Sequence, residues 1–334
     1  MTNRERVLAT LQHKQPDRIP YNVEFTQKAH AAMVEYFGNP DFESLLGNYF
    51  TLLNTAPSDA WVETAPDVWR DQFGVVWDRT VDKDIGVVRN TLVSPRNVLD
   101  FTMPDASDPT RYAGYPQTPE DLDDRFFVAN IGFSLFERAW TLAGMENVLT
   151  AMMCEPDFVH ALLDRILEFN LAVVDRACSH AIDGMYFGDD WGSQRGLLMG
   201  HALWREFILP RVECMYRRVK EHGKFVFIHS CGKVDELFPD LIEAGLDVFN
   251  PFQPEAIDVF EAKIRYGNRL CFHGGISTQR VLPYAKPDEV KKHVRCLLDH
   301  VGKNGGLFAS PAHAVPADAR PENVAAMLDV LQNQ

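Results

Sequence analysis

The chain lacks the features that would place it in a membrane or on a nucleic acid. It has no uninterrupted apolar run of about 18 residues, and its amino terminus lacks the apolar core of a secretory signal. We therefore expect a cytoplasmic protein without a membrane partner. Positive charge is also scarce, because 33 Lys and Arg stand against 47 Asp and Glu, for a formal net charge of −14. A nucleic-acid partner is not expected, since such partners select basic surfaces.

The chain also lacks the patterns of several common site types. No Gly-x-Ser-x-Gly elbow occurs, so a serine hydrolase triad is not indicated. Its six cysteines are scattered and lack the dense, regular spacing of a disulfide framework. Most of them lie in helical patterns and are expected to be reduced core residues, with one exception by position, Cys231. The six are Cys154, Cys178, Cys214, Cys231, Cys271 and Cys296.

What the chain does have is a regular alternation of strand and helix patterns. Eight strand candidates are separated mostly by helical patterns, including one that runs from the end of the first strand to about Leu53. Such alternation predicts parallel strands, and eight repeats predict a (β/α)8 TIM barrel, with residues 1–334 as one domain. A doubly wound open sheet is the alternative, but Tyr21 to Lys28 contains none of the glycines that its phosphate loop would need. The candidate strands are 19–25, 59–63, 126–132, 184–192, 225–232, 248–251, 270–275 and 306–313.

Residues 66–119 interrupt this alternation. Short aromatic and β-branched runs, among them Phe73–Trp77 and Ile85–Val88, alternate there with glycine and charged residues. This pattern predicts β-hairpin strands inserted over the sheet. The aromatic content fits an interface or a lid, and the sequence leaves these two alternatives open.

The fifth strand candidate ends in an imidazole and a thiol. Phe225–Ile228 is an apolar run of the kind found in buried strands, and His229 and Cys231 follow it on the same side. Neutral imidazole and thiolate are the ligands that zinc prefers. The alternative is structural, because a buried cysteine is more often a small hydrophobic residue.

Other strand candidates also end in polar residues. In a closed barrel the carboxyl ends of all strands face one mouth, where ligands bind and catalysis takes place. Their convergence is the main functional signal in this sequence. The residues concerned are Asp189, Asp190, His229, Cys231, Asn250, Gln253, His273 and His313.

Three of these side chains form a candidate zinc site. His229, Cys231 and His313 would leave a fourth position open, as catalytic zinc sites do. Such a zinc would hold an incoming thiol as a thiolate at neutral pH. We expect Cys231 to ionise readily, because a helical segment begins just after it. The alternative for His313 is a hydrogen bond that orients a carboxylate-bearing substrate.

The remaining polar strand ends have two interpretations each. Asp189 and Asp190 would orient His229, bind the metal or bind substrate; alternatively, they cap the helix that follows them. His273 precedes two glycines of the kind that a ligand-facing loop needs. It is alternatively a core histidine bonded to a backbone carbonyl.

Several segments together resemble one known superfamily. The sequence is similar to the uroporphyrinogen decarboxylase superfamily, and within it to the cobalamin-dependent, zinc-containing methyltransferases and their relatives. The resemblance covers nearly the whole chain and implies a (β/α)8 barrel. The segments are Asn3–Val7 with Pro16–Pro20, Gly188–Gly192, His229–Gly232, Asn250–Pro254, Phe272–Ile276 and Pro321–Asn323.

The chain departs from the superfamily at two places. The decarboxylases carry arginines in the first strand, whereas Pro20–Phe25 has none and presents Glu24. A polyanionic tetrapyrrole is therefore not expected as substrate, since its carboxylates would lack partners. The zinc methyltransferases take a third ligand from a cysteine of the last strand, where this chain has His313, closer to the histidine of the decarboxylases.

The resemblance implies a zinc-dependent methyltransferase that moves a methyl group between a small methylated substrate or thiol and the cobalamin of a separate corrinoid protein. One alternative is a metal-free decarboxylase or lyase on a small carboxylate, with Asp189 and His313 as acid and base. Another is a non-catalytic barrel that binds a ligand or a corrinoid protein, and a homodimer is left open. The implied roles are metal binding by His229, Cys231 and His313, catalysis by Asp189, Asp190 and His273, and substrate binding by Glu24, Asn250 and Gln253.

Overall fold

The computed structural model describes residues 1–118, 121–122 and 124–334. Seven parallel strands form its main sheet, in the spatial order β1-β6-β7-β10-β11-β12-β13. The strands of the chain are β1 Phe50–Asn54, β2 Trp61–Ala65, β3 Val68–Asp71, β4 Val76–Asp78, β5 Val87–Val88, β6 Phe126–Ile131, β7 Gly184–Gly188, β8 Gly192–Ser193, β9 Gly196–Leu197, β10 Phe225–His229, β11 Val248–Phe252, β12 Cys271–Ile276 and β13 Leu307–Pro311.

The first strand candidate closes the ring between β13 and β1. Tyr21 and Phe25 form parallel bridges to Ala309 and Val315 on one side. On the other side the Tyr21 carbonyl accepts a hydrogen bond of 3.2 Å from the backbone N–H of Tyr49, which precedes β1. The predicted (β/α)8 barrel is thereby confirmed, although its first position is held by isolated bridges rather than by a continuous strand.

The prediction for the second barrel strand was wrong. The barrel uses β1, a segment that the sequence pattern assigned to a helix, and β2 belongs to a different sheet. A five-residue segment with three apolar residues, as in β1, cannot be distinguished from part of a helix by periodicity alone. The turn before β1 is held by Asn48, whose side-chain oxygen accepts from the Val23 N–H at 2.9 Å.

The predicted insertion is a four-stranded antiparallel sheet in the order β2-β3-β4-β5. It begins at Trp61, before the expected start at residue 66, and the expected end, Pro119, lies outside the described residues. Trp77 of β4 is fully buried, and its ring meets that of Phe133, just after β6, edge to face at 5.1 Å. This contact fixes the sheet beside the carboxyl end of β6.

The helices pack around the strands. Helix α1 has a capping box between Thr2 and Glu5, and its Thr10 carbonyl accepts from the N–H of Gly306, which places it at the amino ends of the strands. No helix among the described residues is both long and apolar enough to span a membrane. The α-helices are α1 Asn3–Leu11, α2 Gln27–Phe37, α3 Phe136–Ala143, α4 Met145–Cys154, α5 Pro156–Cys178, α6 Gly200–Leu203, α7 Leu209–Glu221, α8 Phe238–Ala244, α9 Val259–Tyr266, α10 Val281–Tyr284, α11 Pro287–His300 and α12 Pro321–Gln332.

A cluster of phenyl rings fills the inside of the barrel. Phe50 lies at its centre, with ring centroids 4.9 Å from Phe308, 5.7 Å from Phe227 and 6.1 Å from Phe126. These rings come from strands on opposite sides of the barrel and exclude water from its middle. The polar side chains at the strand ends therefore open toward the mouth alone.

Candidate metal centre

The structure brings the three predicted metal ligands together. Cys231 lies two residues after β10, which ends at His229, and His313 lies two residues after β13. One ligand atom from each of the three lies within 4.8 Å of the other two. The Cys231 sulfur is 3.2 Å from His229 Nε2, and the two imidazole centroids are 5.4 Å apart. Two nitrogens and one sulfur thus converge on a single point at the barrel mouth.

Asn250 determines which nitrogen of His229 is free. Its Nδ2 donates to the His273 carbonyl at 3.0 Å, so its oxygen must face the other way. That oxygen accepts from the Tyr186 hydroxyl at 2.7 Å and from His229 Nδ1 at 2.6 Å. Because an amide oxygen only accepts, the His229 proton lies on Nδ1 and the Nε2 lone pair points toward Cys231. Metal-binding histidines are oriented by contacts of this kind.

These contacts change the interpretation of Asn250. The sequence predicted that it binds substrate, but its oxygen and one of its N–H groups are already engaged by protein groups. We assign it a positioning role toward His229. Tyr186, which supports it, was missed by the sequence analysis. The only signal was a hydroxyl-bearing residue inside a buried strand, which requires a hydrogen-bond partner.

Next to the three ligands lies a cavity of about 100 Å³. His273 lines it together with His229 and His313, as the strand ends predicted, and Glu24, the predicted substrate contact from the first strand, lines it as well. The Asn22 side chain donates to Glu24 Oε1 at 3.1 Å, and loss of surrounding water raises the pKa of the Glu24 carboxyl. Gln253 is buried but does not line this cavity, so the structure does not support its predicted substrate contact.

His273 is a neutral, unpaired imidazole in the cavity wall. It is buried, and neither ring nitrogen has a hydrogen-bond partner within the described parts of the chain. Burial, with a smaller effect of His229, lowers the pKa of His273 to about 3. Its ring packs edge-on against Phe50 at 5.6 Å. The alternative of a histidine bonded to a backbone carbonyl is therefore not what the structure contains.

Asp189 does not reach the cavity. Its carboxylate accepts hydrogen bonds from three backbone N–H groups at the start of α3. The donors are Leu135 at 3.2 Å, Phe136 at 3.0 Å and Glu137 at 2.8 Å. The indole of Trp191 donates to it at 2.6 Å. Burial raises the pKa of Asp189 to about 6 despite these four donors. Asp189 thus caps α3, which precedes it in the chain, and not the following helix that the alternative named. Its predicted catalytic role lacks geometric support.

Asp190 lies beside the metal ligands. Its Oδ1 accepts from the Cys231 backbone N–H at 2.7 Å and lies 3.9 Å from His229 Nε2. It therefore holds the Cys231 turn in place and adds negative charge next to the ligand atoms. This position agrees with the interpretation of Asp190 as a residue that orients the ligands.

The expectation that Cys231 ionises readily was wrong for the protein without a cation. Burial, followed by the negative charges of Asp190 and Glu137, raises the pKa of the Cys231 thiol well above its usual range. The helical segment after Cys231 begins at Asp235 with a 3₁₀ turn that leads into α8, and it does not offset these effects. Burial and Asp190 also raise the pKa of Glu137 well above its usual range. Glu137 was missed because it lies in α3, far from the other site residues in sequence.

The comparisons with known proteins identify the family. Residues 79–334 match the family model of uroporphyrinogen decarboxylase (URO-D). The chain belongs to the uroporphyrinogen decarboxylase family. Uroporphyrinogen decarboxylase of Coxiella burnetii is 24% identical over 279 residues, 79% of this chain and 73% of that protein. The methylated-thiol–coenzyme M methyltransferase of Methanosarcina mazei is 26% identical over 191 residues, 55% of this chain and 50% of that protein.

A solved structure extends the likeness to the whole fold. A methyltransferase from Methanosarcina mazei superposes with a TM-score of 0.73 over 100% of this chain and 99% of its own, at 16% identity. This match establishes a shared fold. With the family model and the sequence relatives, it confirms the predicted resemblance to the methyltransferase-like branch of the superfamily. The protein is thus related to enzymes of the uroporphyrinogen decarboxylase and methyltransferase group.

Proposed function

We propose that this protein is a zinc-dependent methyltransferase that moves a methyl group between a small methylated substrate or thiol and a corrinoid carried by a separate protein. The observation that carries the proposal is the convergence of the His229, Cys231 and His313 ligand atoms within 4.8 Å. The relative named for a methylated thiol supports the choice of substrate class.

The donor set fits zinc. Two imidazoles and one thiolate are typical zinc ligands, and three protein ligands leave one position for substrate. Ligand atoms of a tetrahedral zinc site are about 3.3 to 3.8 Å apart, given bond lengths of about 2.0 to 2.3 Å. The Cys231 sulfur and His229 Nε2 are already 3.2 Å apart. Burial and the neighbouring His229 lower the pKa of His313, which favours the neutral form that binds metals.

Zinc, when bound, would hold the sulfur of a small thiol as a thiolate at neutral pH. Residues of this chain would prepare the site for that chemistry. Asn250 keeps the proton of His229 on Nδ1, and Asp190 fixes the backbone of Cys231. Glu24 lines the cavity and would contact the substrate. His273 lines the cavity and would contact the substrate if its ring turned, since neither of its buried nitrogens has a partner among the described residues.

The alternatives have less support from the geometry. A metal-free lyase that uses Asp189 and His313 requires both groups to reach one substrate, but the Asp189 carboxylate is bound to the start of α3. Decarboxylation of a tetrapyrrole requires cationic partners for several carboxylates, and none of the described arginines or lysines lines the cavity at the metal ligands.

Metal analysis of the purified protein tests the proposal. We expect about one equivalent of zinc per chain, which Cys231→Ser and His313→Ala should lose. Cys296 is an exposed cysteine on α11, so the control variant Cys296→Ser should retain the zinc. Transfer of methyl from methylcobalamin to ethanethiol, followed by the cobalamin spectrum, should be lost in Cys231→Ser and His313→Ala. Wild-type protein that binds no zinc, or Cys231→Ser protein that keeps it, would rule out the proposed site.

A further inference from the structure

A second, larger cavity lies beside the metal ligands. It has a volume of about 300 Å³ and forms where the antiparallel sheet meets the carboxyl ends of β1 and β6. Asn130 of β6 lines it, and the Cα partner of Asn130 on β7 is Tyr186, which lines the smaller cavity. The two cavities are therefore neighbours around the mouth, yet they share no lining residue.

Arg111 in the wall of this larger cavity is buried without a counter-ion. It is 4% exposed, and its guanidinium donates to the carbonyls of Asp105 at 2.7 Å and Thr55 at 3.0 Å, and to the Gln72 side-chain oxygen at 2.6 Å. All three acceptors are uncharged, and none of the described carboxylates lies within ion-pair distance of it. Buried cations are normally paired, because desolvation of an isolated charge is costly.

Arg138 lines the same cavity, and one edge of its guanidinium has no partner among the described residues. It is 8% exposed, its Nη1 donates to Asp71 at 3.0 Å, and its guanidinium carbon lies 3.9 Å from the Phe73 ring centroid. Its buried Nε has no hydrogen-bond partner within the described part of the chain, and no bond from Nη2 is found there either. The Nε and Nη2 edge is the fork with which arginine binds a carboxylate through two parallel hydrogen bonds.

The one carboxylate in the wall does not satisfy both arginines. Asp71 also accepts from the backbone N–H groups of Phe73 and Val75 and from the Trp77 indole, so its charge is shared among four donors. Two arginines and one aspartate line the cavity, and Arg111 also feels the charges of nearby aspartates that do not line it, namely Asp59, Asp105 and Asp108. The side facing the two arginines is apolar and aromatic, with the rings of Phe73, Phe133 and Phe169.

We propose that this cavity is a binding site for a small organic carboxylate, which packs against the phenyl rings and is held by Arg138 once its buried Nε edge turns toward the cavity. Arg138 supplies the charge that favours an anion, because its one carboxylate partner, Asp71, is shared with three other donors. The site requires neither the zinc nor the methyl transfer proposed above, so its test is independent of them.

Calorimetric titration of the full chain with benzoate and with benzamide, its neutral isostere, tests the site. We expect benzoate to bind at least about tenfold more tightly than benzamide, because only the carboxylate forms charge-assisted hydrogen bonds with the fork. Asn130→Asp adds a negative charge to the wall and should remove this preference. The control is Asn268→Asp, the same change at an exposed position before β12, which should leave the preference unchanged.

Two further variants keep the result decisive. Arg138→Lys retains the charge opposite Asp71 but loses the fork, so benzoate affinity should fall by about tenfold while the melting temperature shows whether the fold persists. Cys231→Ser should bind benzoate as wild type does. Equal affinities for benzoate and benzamide would overturn the proposal, as would benzoate binding that survives in Asn130→Asp and Arg138→Lys. Loss of benzoate binding in Cys231→Ser would also overturn it, since the carboxylate would then sit at the metal.

Discussion

The side-chain oxygen of Asn250 lies 2.6 Å from His229 Nδ1 and fixes the tautomer of that imidazole. Because the amide nitrogen of Asn250 is held by the His273 carbonyl, the amide cannot turn to offer a donor instead. The neighbouring strand therefore determines the direction in which His229 can bind a cation.

Replacement of Asn250 by Ala should weaken zinc binding without removing a ligand. Loss of such an orienting partner typically costs about 10- to 100-fold in metal affinity. Competition with a chromogenic chelator measures the change. Tyr186→Phe, which removes one donor to the same oxygen and leaves the His229 contact, should cost less. If zinc affinity is unchanged in Asn250→Ala, the contact does not orient the ligand.

Asp189 should give the fold a measurable pH dependence. Burial raises the pKa of Asp189 to about 6 in the folded protein, whereas an unfolded chain holds Asp near 3.9. Between about pH 4 and pH 6 the folded state therefore binds more protons, so stability falls as pH rises through this window. This difference in pKa makes the free energy of unfolding about 3 kcal/mol smaller at neutral pH than below pH 4.

Urea unfolding of wild type and Asp189→Asn at several pH values isolates this effect. The variant should be less stable throughout, because Asn accepts fewer of the four hydrogen bonds at the start of α3. The free-energy difference between wild type and variant should nevertheless be largest near pH 4 and shrink by pH 7. A difference that is constant with pH would show that Asp189 does not titrate in this range.

Replacement of His273 should separate its effect on the stability of the fold from its effect on methyl transfer. Both ring nitrogens are buried and unpaired, so His273→Phe removes two unsatisfied polar atoms while keeping a similar ring against Phe50. Such a replacement is expected to be neutral or stabilising. If His273 contacts substrate, methyl transfer should fall by about tenfold or more at unchanged zinc content. Full activity in His273→Phe would show that His273 is only a core residue. The matched control is His300→Phe, the same replacement at an exposed position on α11.

The sequence predicted which side chains meet at the barrel mouth better than it predicted the path of the chain to them. His229, Cys231 and His313 could be found because strand ends of a barrel share one mouth, a property of topology that needs no side-chain detail. The same reasoning failed for Asp189, since strand-end position does not determine which way a carboxylate turns. Asp189 caps a helix because the start of α3 lies next to it in the fold. This is a contact between distant parts of the chain, which a local pattern does not reveal.

The sequence pattern also failed to predict features that depend on contacts between distant parts of the chain. Strand β1 is a short apolar run after helical residues, and its pairing with β6 rather than its own sequence makes it a strand. Arg111 and Arg138 are ordinary arginines in the sequence, and their burial around one cavity depends on how the antiparallel sheet covers the barrel.

Gly232 ties the position of Cys231 to close backbone packing. Its φ is 91°, and an added Cβ would lie 2.6 Å from the Gly192 carbonyl carbon and from the Ser193 carbonyl oxygen. These atoms are backbone and cannot rotate away, so Gly232→Ala should displace the turn that carries Cys231. Gly223→Ala is the matched control, because its φ is 68° but nothing lies within 4 Å of its Cβ. Both variants share the left-handed strain of about 1 to 2 kcal/mol. Only Gly232→Ala should also lose zinc, as metal analysis of folded protein would measure, and equal zinc in the two variants would show that the turn can shift without moving Cys231.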